Sequence, residues 1–378
     1  MNIGGTEKSL LSLINALNKE EFDVTIICFR KFGGLLNQIP EWVKINFLQE
    51  EVDVMTYIKF PLLQIIRSAV KNVKFLTVLR LIYLYTKIKI YQDWSFLYQY
   101  CLRNYFDNNK YDIAVAYMGP HNFISHLVLS KLQATKKYQW IHFDVSKLSL
   151  STAYGNKYYP KFDKVFCVSE NAKEIFDNYF PSVNNKTTVF RNIVSKAELL
   201  SKAEQGETFT DSYKGLRIVT LGRLYKEKGQ QMIPSVVARL KNEGYDFKWY
   251  LIGDGNLRNQ IEEQINELGI EQNLVLLGSQ LNPYAYLQDC NLYVQSSLHE
   301  GYCLTIHEAK IFEKPVVTTA VASASNLIVD EADGLIVPIS VEGIYEGVKK
   351  MLVNPILMAE FSKSILAKDT TNEIKEVC

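Results

Sequence analysis

Asn291-Leu-Tyr-Val-Gln-Ser-Ser-Leu-His-Glu-Gly-Tyr-Cys-Leu-Thr-Ile-His-Glu-Ala309 reads as an apolar strand, a glycine-containing turn and the first turns of a helix. A second apolar run, Pro315-Val-Val-Thr-Thr-Ala320, follows after Lys314. Strand, turn, helix and strand in that order make the repeating unit of a parallel sheet. The reading places Glu300 at the carboxyl end of a strand and Glu308 about one turn into the next helix. In open α/β sheets, ligands bind in the crevice beyond the strand ends. Two ionised carboxylates in such a crevice accept hydrogen bonds from several hydroxyls of a polyol. The backbone N–H groups from Gly301 to Thr305 open the helix and suit a phosphate. One short segment therefore offers a place for a sugar and a place for a phosphate.

The same alternation runs outward in both directions. In the first half, strands are expected at Phe22–Phe29, Val43–Leu48, Tyr111–Met118, Lys137–Phe143, Lys164–Ser169 and Thr187–Asn192. Helices are expected at Thr6–Asn18, over much of 58–106, at His121–Leu132 and at Asn171–Tyr179. In the second half, strands are expected at Arg217–Leu221, Lys248–Ile252, Leu274–Leu277, Leu292–Gln295, Val316–Thr319 and Gly334–Val337. The main helices between them are Gln230–Asn242, Leu257–Leu268 and Leu304–Phe312. Alternating β and α elements with apolar strands imply parallel sheets covered on both faces. The chain of 378 residues has length enough for two such domains. Ser195 to Lys214 is polar and short of aromatic residues, and reads as the connection between them. The expected organisation is a first Rossmann-like domain over 1–194, a linker over 195–214, a second Rossmann-like domain over 215–354 and a helical tail over 355–378.

Composition narrows the class. Hydrophobic content of 47% and charged content of 22% are those of a globular protein. No apolar run approaches the ~20 residues of a membrane-spanning helix, and no secretory pattern opens the chain. None of the six cysteines forms a C-x-x-C pair, and scattered thiols on apolar strands point to the reducing cytoplasm. The net charge of +1 hides an uneven distribution. Between Val54 and Asn104, Lys59, Arg67, Lys71, Lys74, Arg80, Lys87, Lys89 and Arg103 face a single acid, Asp93. That basic, aromatic stretch reads as a membrane-surface element or a site for an anionic partner. A solvated helix with a buried apolar stripe explains it equally well. Nothing in the pattern indicates nucleic acid.

The motifs together resemble the retaining glycosyltransferases of the GT-B fold, family 4 type, whose signature is E-x7-E. Glu300 and Glu308 carry that spacing. Gly4-Gly5-Thr6-Glu7 resembles the family's glycine loop at the donor phosphates. Trp140-Ile141-His142-Phe143-Asp144 resembles its central His segment. Leu221-Gly222-Arg223-Leu224 with Glu227-Lys228-Gly229 resembles its basic diphosphate clamp, and Leu251-Ile252-Gly253-Asp254-Gly255 its glycine turn beside the nucleotide. The matches follow the family's order from residue 4 to about residue 338. The resemblance implies an α/β, GT-B architecture of two Rossmann-like domains facing a cleft, with a tail that crosses back to the first domain. It implies Glu308 on the ribose hydroxyls, Glu300 on the donor sugar and His142 near that sugar. Donor contacts are expected from Gly4, Gly5, Gly222, Gly253, Gly301, Tyr302, Cys303 and Leu304. Ser169 and Asn192 match cleft positions, although a helix N-cap explains Ser169 as well.

The chemistry agrees with that assignment. Breaking the C1–O bond of a nucleotide sugar puts negative charge on the diphosphate, and fixed cations there lower the barrier. Arg223 can grip phosphate oxygens bidentately, and Lys228 acts as a point charge. The chain contains no D-x-D triplet and no His, Asp and Cys set with metal-ligand spacing, so no metal cofactor is expected. The expected substrates are a nucleotide sugar, with a UDP-sugar favoured, and a glycan or lipid-linked glycan acceptor. The expected process is capsular, exopolysaccharide or cell-wall glycan synthesis, at or near the inner face of the membrane. Two other readings share the fold: a sugar-nucleotide epimerase and an inactive nucleotide-sugar-binding subunit. One departure stands out. Met1-Asn2-Ile3 leads directly into Gly4-Gly5, where the family has a short apolar strand. The strands near Phe22–Phe29 and Tyr111–Met118 are therefore expected to meet poorly.

Overall fold

The computed structural model describes residues 4–29, 31, 33–48, 75–147 and 152–367. The chain folds as two compact units. One is Leu17–Arg191, and the other joins Asn2–Ala16 to Asn192–Cys378. Helix α1 (Gly5–Ala16) thus groups with the second half of the chain, not with the domain that follows it in sequence.

In the first unit, β1 (Thr25–Cys28) pairs in parallel with β2 (Lys44–Phe47). Helices α2 (Phe75–Tyr91) and α3 (Ser95–Cys101) precede β3 (Lys110–Ala116). Then come α4 (Asn122–Lys131), β4 (Gln133–Ile141), α5 (Thr152–Tyr158), β5 (Lys164–Cys167), α6 (Glu170–Tyr179) and β6 (Thr187–Val189). Strands β3 to β6 form a four-stranded parallel sheet in chain order, separate from the β1–β2 pair. Among the described residues no strand joins β1 to β3, and Met1–Ile3 lie outside that set. Phe162, Val165, Phe176 and Phe180 are fully buried at the centre. The buried amide of Gln139 is satisfied on both sides. It donates to Ala116 O and Trp140 O and accepts from Ser125 Oγ. Of the basic stretch 54–104, residues 54–74 lie outside the described set.

The second unit holds α7 (Lys196–Glu204), β7 (Leu216–Leu221), α8 (Ile233–Asn242), β8 (Phe247–Ile252), α9 (Arg258–Leu268) and β9 (Leu274–Gly278). It continues with α10 (Tyr284–Asp289), β10 (Leu292–Gln295), α11 (Leu304–Ile311), β11 (Val316–Thr319), β12 (Gly334–Val337), α12 (Val341–Val353) and α13 (Pro355–Ala367). All six strands are parallel, in the order β12-β11-β10-β7-β8-β9. From β7 the chain winds outward through β8 and β9, returns to β10, and winds the other way through β11 and β12. The strand order therefore reverses between β7 and β10, where such sheets place their ligands. Ile218, Trp249, Leu251, Val294 and Val317 are buried on one face of the sheet, and Val219, Tyr250, Tyr293 and Val316 on the other. The indole of Trp249 donates to Thr220 Oγ1, which donates in turn to Val294 O, so this core leaves neither group unpaired.

One segment is more structured than its composition suggests. The polar segment 195–214 is not a bare connector. It contains α7, capped by Ser195 Oγ on Glu198 N, with Leu199 and Ala203 in the second unit's core. The tail, over its described length, packs in the second unit, where Phe361 of α13 shares a core cluster with Trp249.

Candidate functional site

The two chain turns that end β7 and β10 carry the charged residues. After β7, Gly222 N donates to Ile252 O and Leu224 N to Asp254 O, which ties the β7 turn to the β8 turn. A Cβ on Gly253 would lie 2.0 Å from Gly222 O, at a φ of +146°, so only glycine allows this approach. Gly229 has the same role one turn later: its φ is +67°, and an added Cβ would lie 1.9 Å from Ser296 O. The β7 turn is thereby pressed onto the end of β10. Ser296 Oγ donates to Lys228 O across that contact, at 2.9 Å.

This packing joins Lys228 to Glu300. The Lys228 ammonium lies 2.6 Å from Glu300 Oε1, and the same oxygen accepts from Ser297 Oγ at 2.6 Å. Arg223 is held differently. Its side chain is about half exposed, 3.5 Å from Glu227 Oε1 and over the Tyr225 ring. It is thus a cation that can move to an incoming anion without breaking a buried pair.

Helix α11 begins abruptly. Cys303, its N-cap, has a φ of +57°, in the left-handed region. The sequence places the bend at Gly301, but Gly301 is not among the positive-φ residues. The strain on Cys303 is offset by its buried thiol, which lies 3.2 Å from Gln295 Nε2 and 3.0 Å from Ser323 Oγ. Burial pushes that thiol up to about 12, so it stays protonated. Gln295 Oε1 also accepts from Thr305 Oγ1, which links the end of β10 to the first turn of α11. The first N–H groups of α11 have no partner within the helix and favour an anion. The first turn of α1 abuts them, since a Cβ on Gly5 would lie 3.6 Å from Leu304 Cδ1.

Glu308 is 5% exposed. Its Oε1 accepts from Tyr284 OH at 3.1 Å and lies 3.8 Å from Lys8 Nζ. Its Oε2 is buried with no hydrogen-bond partner among the described residues. A buried carboxylate oxygen without a donor is costly, and hydroxyls of a ligand would satisfy it. Burial, and then the Glu308 charge, hold the Tyr284 phenol well above its ordinary value, so it remains a donor. Sequence reasoning misses both Lys8 and Tyr284. The pair lies 276 positions apart, and no local pattern marks either.

His142 belongs to the first unit, at the carboxyl end of β4. The residue is 6% exposed, its ring tilted against Tyr117 and stacked on Trp140, and its Nε2 has no partner among the described residues. Burial lowers it to about 3, so it is a neutral imidazole at ordinary pH. Ser169 caps α6, with its Oγ accepting from Ala172 N. Asn192 Oδ1 accepts from Ser9 Oγ of α1. Among the described residues no group of three His, Cys, Asp or Glu could hold a metal ion. The second unit thus assembles Gly5, Gly222, Arg223, Lys228, Gly253, Glu300, Cys303, Leu304 and Glu308 around the ends of β7, β8 and β10 and the start of α11. Gly4 stands one residue before α1, and Gly301 and Tyr302 lie in the turn between Glu300 and Cys303.

A family model described as Glycosyltransferase Family 4 matches residues 3–198, and one described as Glycosyl transferases group 1 matches residues 208–366. An uncharacterized glycosyltransferase of Methanocaldococcus jannaschii, MJ1059, is 32% identical over 167 residues, 43% of this chain and 41% of that protein. The N-acetylgalactosamine-N,N'-diacetylbacillosaminyl-diphospho-undecaprenol 4-alpha-N-acetylgalactosaminyltransferase of Campylobacter jejuni is 30% identical over 196 residues, 51% of this chain and 52% of that protein. The chain spans about half the length of these relatives, or less. The structure of Anabaena HepE in complex with UDP superimposes with a TM-score of 0.62 at 16% identity, over 96% of this chain and 91% of that one. That likeness bears on the fold, which is GT-B.

Proposed function

The chain belongs to glycosyltransferase family 4, and from that premise we propose that it moves a sugar from a nucleotide-sugar donor to a glycan acceptor with retention at the anomeric carbon. The observation that carries the reading is the buried Oε2 of Glu308, which has no hydrogen-bond partner among the described residues and lies on the helix that opens at Leu304. It is an acceptor waiting for hydroxyl donors, next to N–H groups that suit phosphate. In this reading Glu308 holds the ribose hydroxyls. The N–H groups of Tyr302, Cys303 and Leu304 and the Gly4-Gly5 turn face the phosphates.

Arg223 and Lys228 take the charge that develops on the departing diphosphate, so the transfer uses side-chain cations and no metal. Lys228 is held by Glu300 in the free protein. Arrival of the diphosphate draws the ammonium away, and the freed Glu300 oxygen turns to the donor sugar. His142 is kept as a candidate for the sugar side on the strength of the family motif alone. A UDP-sugar, of a hexose or an N-acetylhexosamine, is the favoured donor. A glycan or lipid-linked glycan in capsular, exopolysaccharide or cell-wall synthesis is the favoured acceptor. The diphospho-undecaprenol named for the Campylobacter relative supports that choice. The corresponding location is the cytoplasmic face of the cell membrane.

Incubation with a set of nucleotide sugars, with and without lipid-linked acceptors, tests the proposal. The expected result is release of nucleoside diphosphate and a glycan product of retained anomeric configuration, only when acceptor is present. A donor sugar altered without acceptor would mean an epimerase. Donor binding with no turnover on any acceptor would mean a binding subunit.

A further inference from the structure

We propose that Lys8 and Tyr284 are positioning residues for Glu308, fixing one of its carboxylate oxygens so that the other is held for the ribose. The proposal rests on the assignment of Glu308 to the ribose hydroxyls. The three side chains form a directed chain. Lys8 Nζ donates to Tyr284 OH at 3.4 Å, and Tyr284 OH donates to Glu308 Oε1 at 3.1 Å. An ammonium can only donate, so the phenol oxygen accepts from Lys8 and its single proton is left for Glu308. The Lys8 ammonium also lies 3.8 Å from Glu308 Oε1 and 5.0 Å from the centre of the Tyr284 ring. Among the described residues it is the only cation paired with Glu308. Both contacts fall on the same oxygen. That leaves Oε2, buried and without a partner among the described residues, as the acceptor for a ligand.

Both anchors are themselves fixed. Tyr284 opens α10 and is buried, and its ring stacks on Phe312, just past the end of α11, at 6.3 Å and 27°. Lys8 lies on α1, which is tied to the second unit along its length. Ser9 Oγ donates to Asn192 Oδ1, and Asn15 Nδ2 donates to Glu198 Oε1 of α7. Gly5, one turn before Lys8, faces Leu304 at the start of α11. A glutamate side chain has several rotatable bonds, and ordering them on binding costs affinity. With Oε1 tied before the nucleotide arrives, the carboxylate meets it in one orientation. Lys8 and Tyr284 thus act on the ribose through Glu308.

Calorimetry with UDP and with 2′,3′-dideoxyuridine diphosphate, which lacks the ribose hydroxyls, tests the proposal. The wild type should prefer UDP by roughly 10–100-fold. Tyr284→Phe keeps the ring and its stack and removes only the hydroxyl. It should weaken UDP about fivefold and leave the dideoxy compound unchanged, so the preference narrows by the same factor. Lys8→Met should narrow it about threefold, and Lys8→Arg should restore most of it. Unchanged affinity for the dideoxy compound shows that the variants are folded. A loss of both nucleotides alike would mean a merely structural role and would overturn the proposal. So would a wild type that discriminates alongside Tyr284→Phe and Lys8→Met variants that discriminate equally well, an outcome that leaves Glu308 on the ribose. A wild type that binds the two nucleotides equally, or does not bind UDP, would remove Glu308 from the ribose and the positioning role with it.

Discussion

Lys228 Nζ sits 2.6 Å from Glu300 Oε1, so the cation assigned to the diphosphate and the carboxylate assigned to the sugar form one ion pair. Both side chains are largely buried, at 23% and 12% exposure. Neither can be removed without leaving the other short of a partner. Lys228→Met should lower kcat by roughly 10²–10³-fold, the loss expected for one transition-state donor. Combining it with Glu300→Gln should cost less than the two single losses together, because the residues act as a unit. Steady-state kinetics on the four proteins measure this coupling. Strictly additive losses would mean that the pair does not work as one.

Arg223 is the exposed cation of the proposed diphosphate clamp. Arg223→Ala should cut kcat by about 10²-fold and leave stability within ~0.5 kcal/mol, since its contact with Glu227 is long and exposed. Activity should persist in a strong chelator. Loss with chelator that magnesium or manganese restores would return the diphosphate to a metal.

Cys303 carries two opposing effects. Its left-handed backbone costs roughly 1–2 kcal/mol, and its thiol contacts with Gln295 and Ser323 recover part of that. Cys303→Ala keeps the strain and loses the contacts, so its melting temperature should fall. Cys303→Gly loses the same contacts but relieves the strain, and it should melt above the alanine variant. The reverse order would show that the turn does not strain residue 303.

Acid should destabilise the first unit early. His126 and His142 are buried, and burial lowers them to about 4 and about 3. In the unfolded chain each titrates near ~6.5. Between these values the unfolded state binds protons that the folded state does not, so stability rises with pH and is lost as pH falls below about 6.5. Each group contributes up to ~1.4 kcal/mol per pH unit over that window. Urea denaturation at about pH 7.5, 6 and 5 should show the decline, and a His126→Phe variant should show a shallower one. A flat profile would mean that these imidazoles are protonated in the fold.

The parts of the fold that follow from local pattern are legible in the sequence. Strands β10, β11 and β12 fall on the expected residues, because a parallel strand buried on both faces leaves an uninterrupted apolar run. Glu308 lies one turn into α11, as the spacing from the turn implies. Helix α7 escapes the pattern because only Leu199 and Ala203 of its nine residues are buried in the core, and the rest read as polar linker. The start of β4 escapes it because Gln133-Ala-Thr-Lys-Lys137 is polar and sits at the more exposed end of the strand. The Lys8–Tyr284–Glu308 cluster and the Lys228–Glu300 pair join distant positions, which no periodicity records. The left-handed conformation at Cys303 is hidden because the neighbouring Gly301 is the natural place for it.

Calorimetric titration of UDP into the wild-type protein and into Glu308→Ala tests the central claim most directly. The account predicts that the wild type binds and that the variant binds roughly 10–100-fold more weakly, the ~1.5–3 kcal/mol of lost charge-assisted hydrogen bonds to the ribose. The melting temperature of the variant should not fall in proportion, because the removed carboxylate takes with it an oxygen that has no partner among the described residues. Equal affinity in the two proteins, or no binding of the nucleotide by the wild type, would contradict the account.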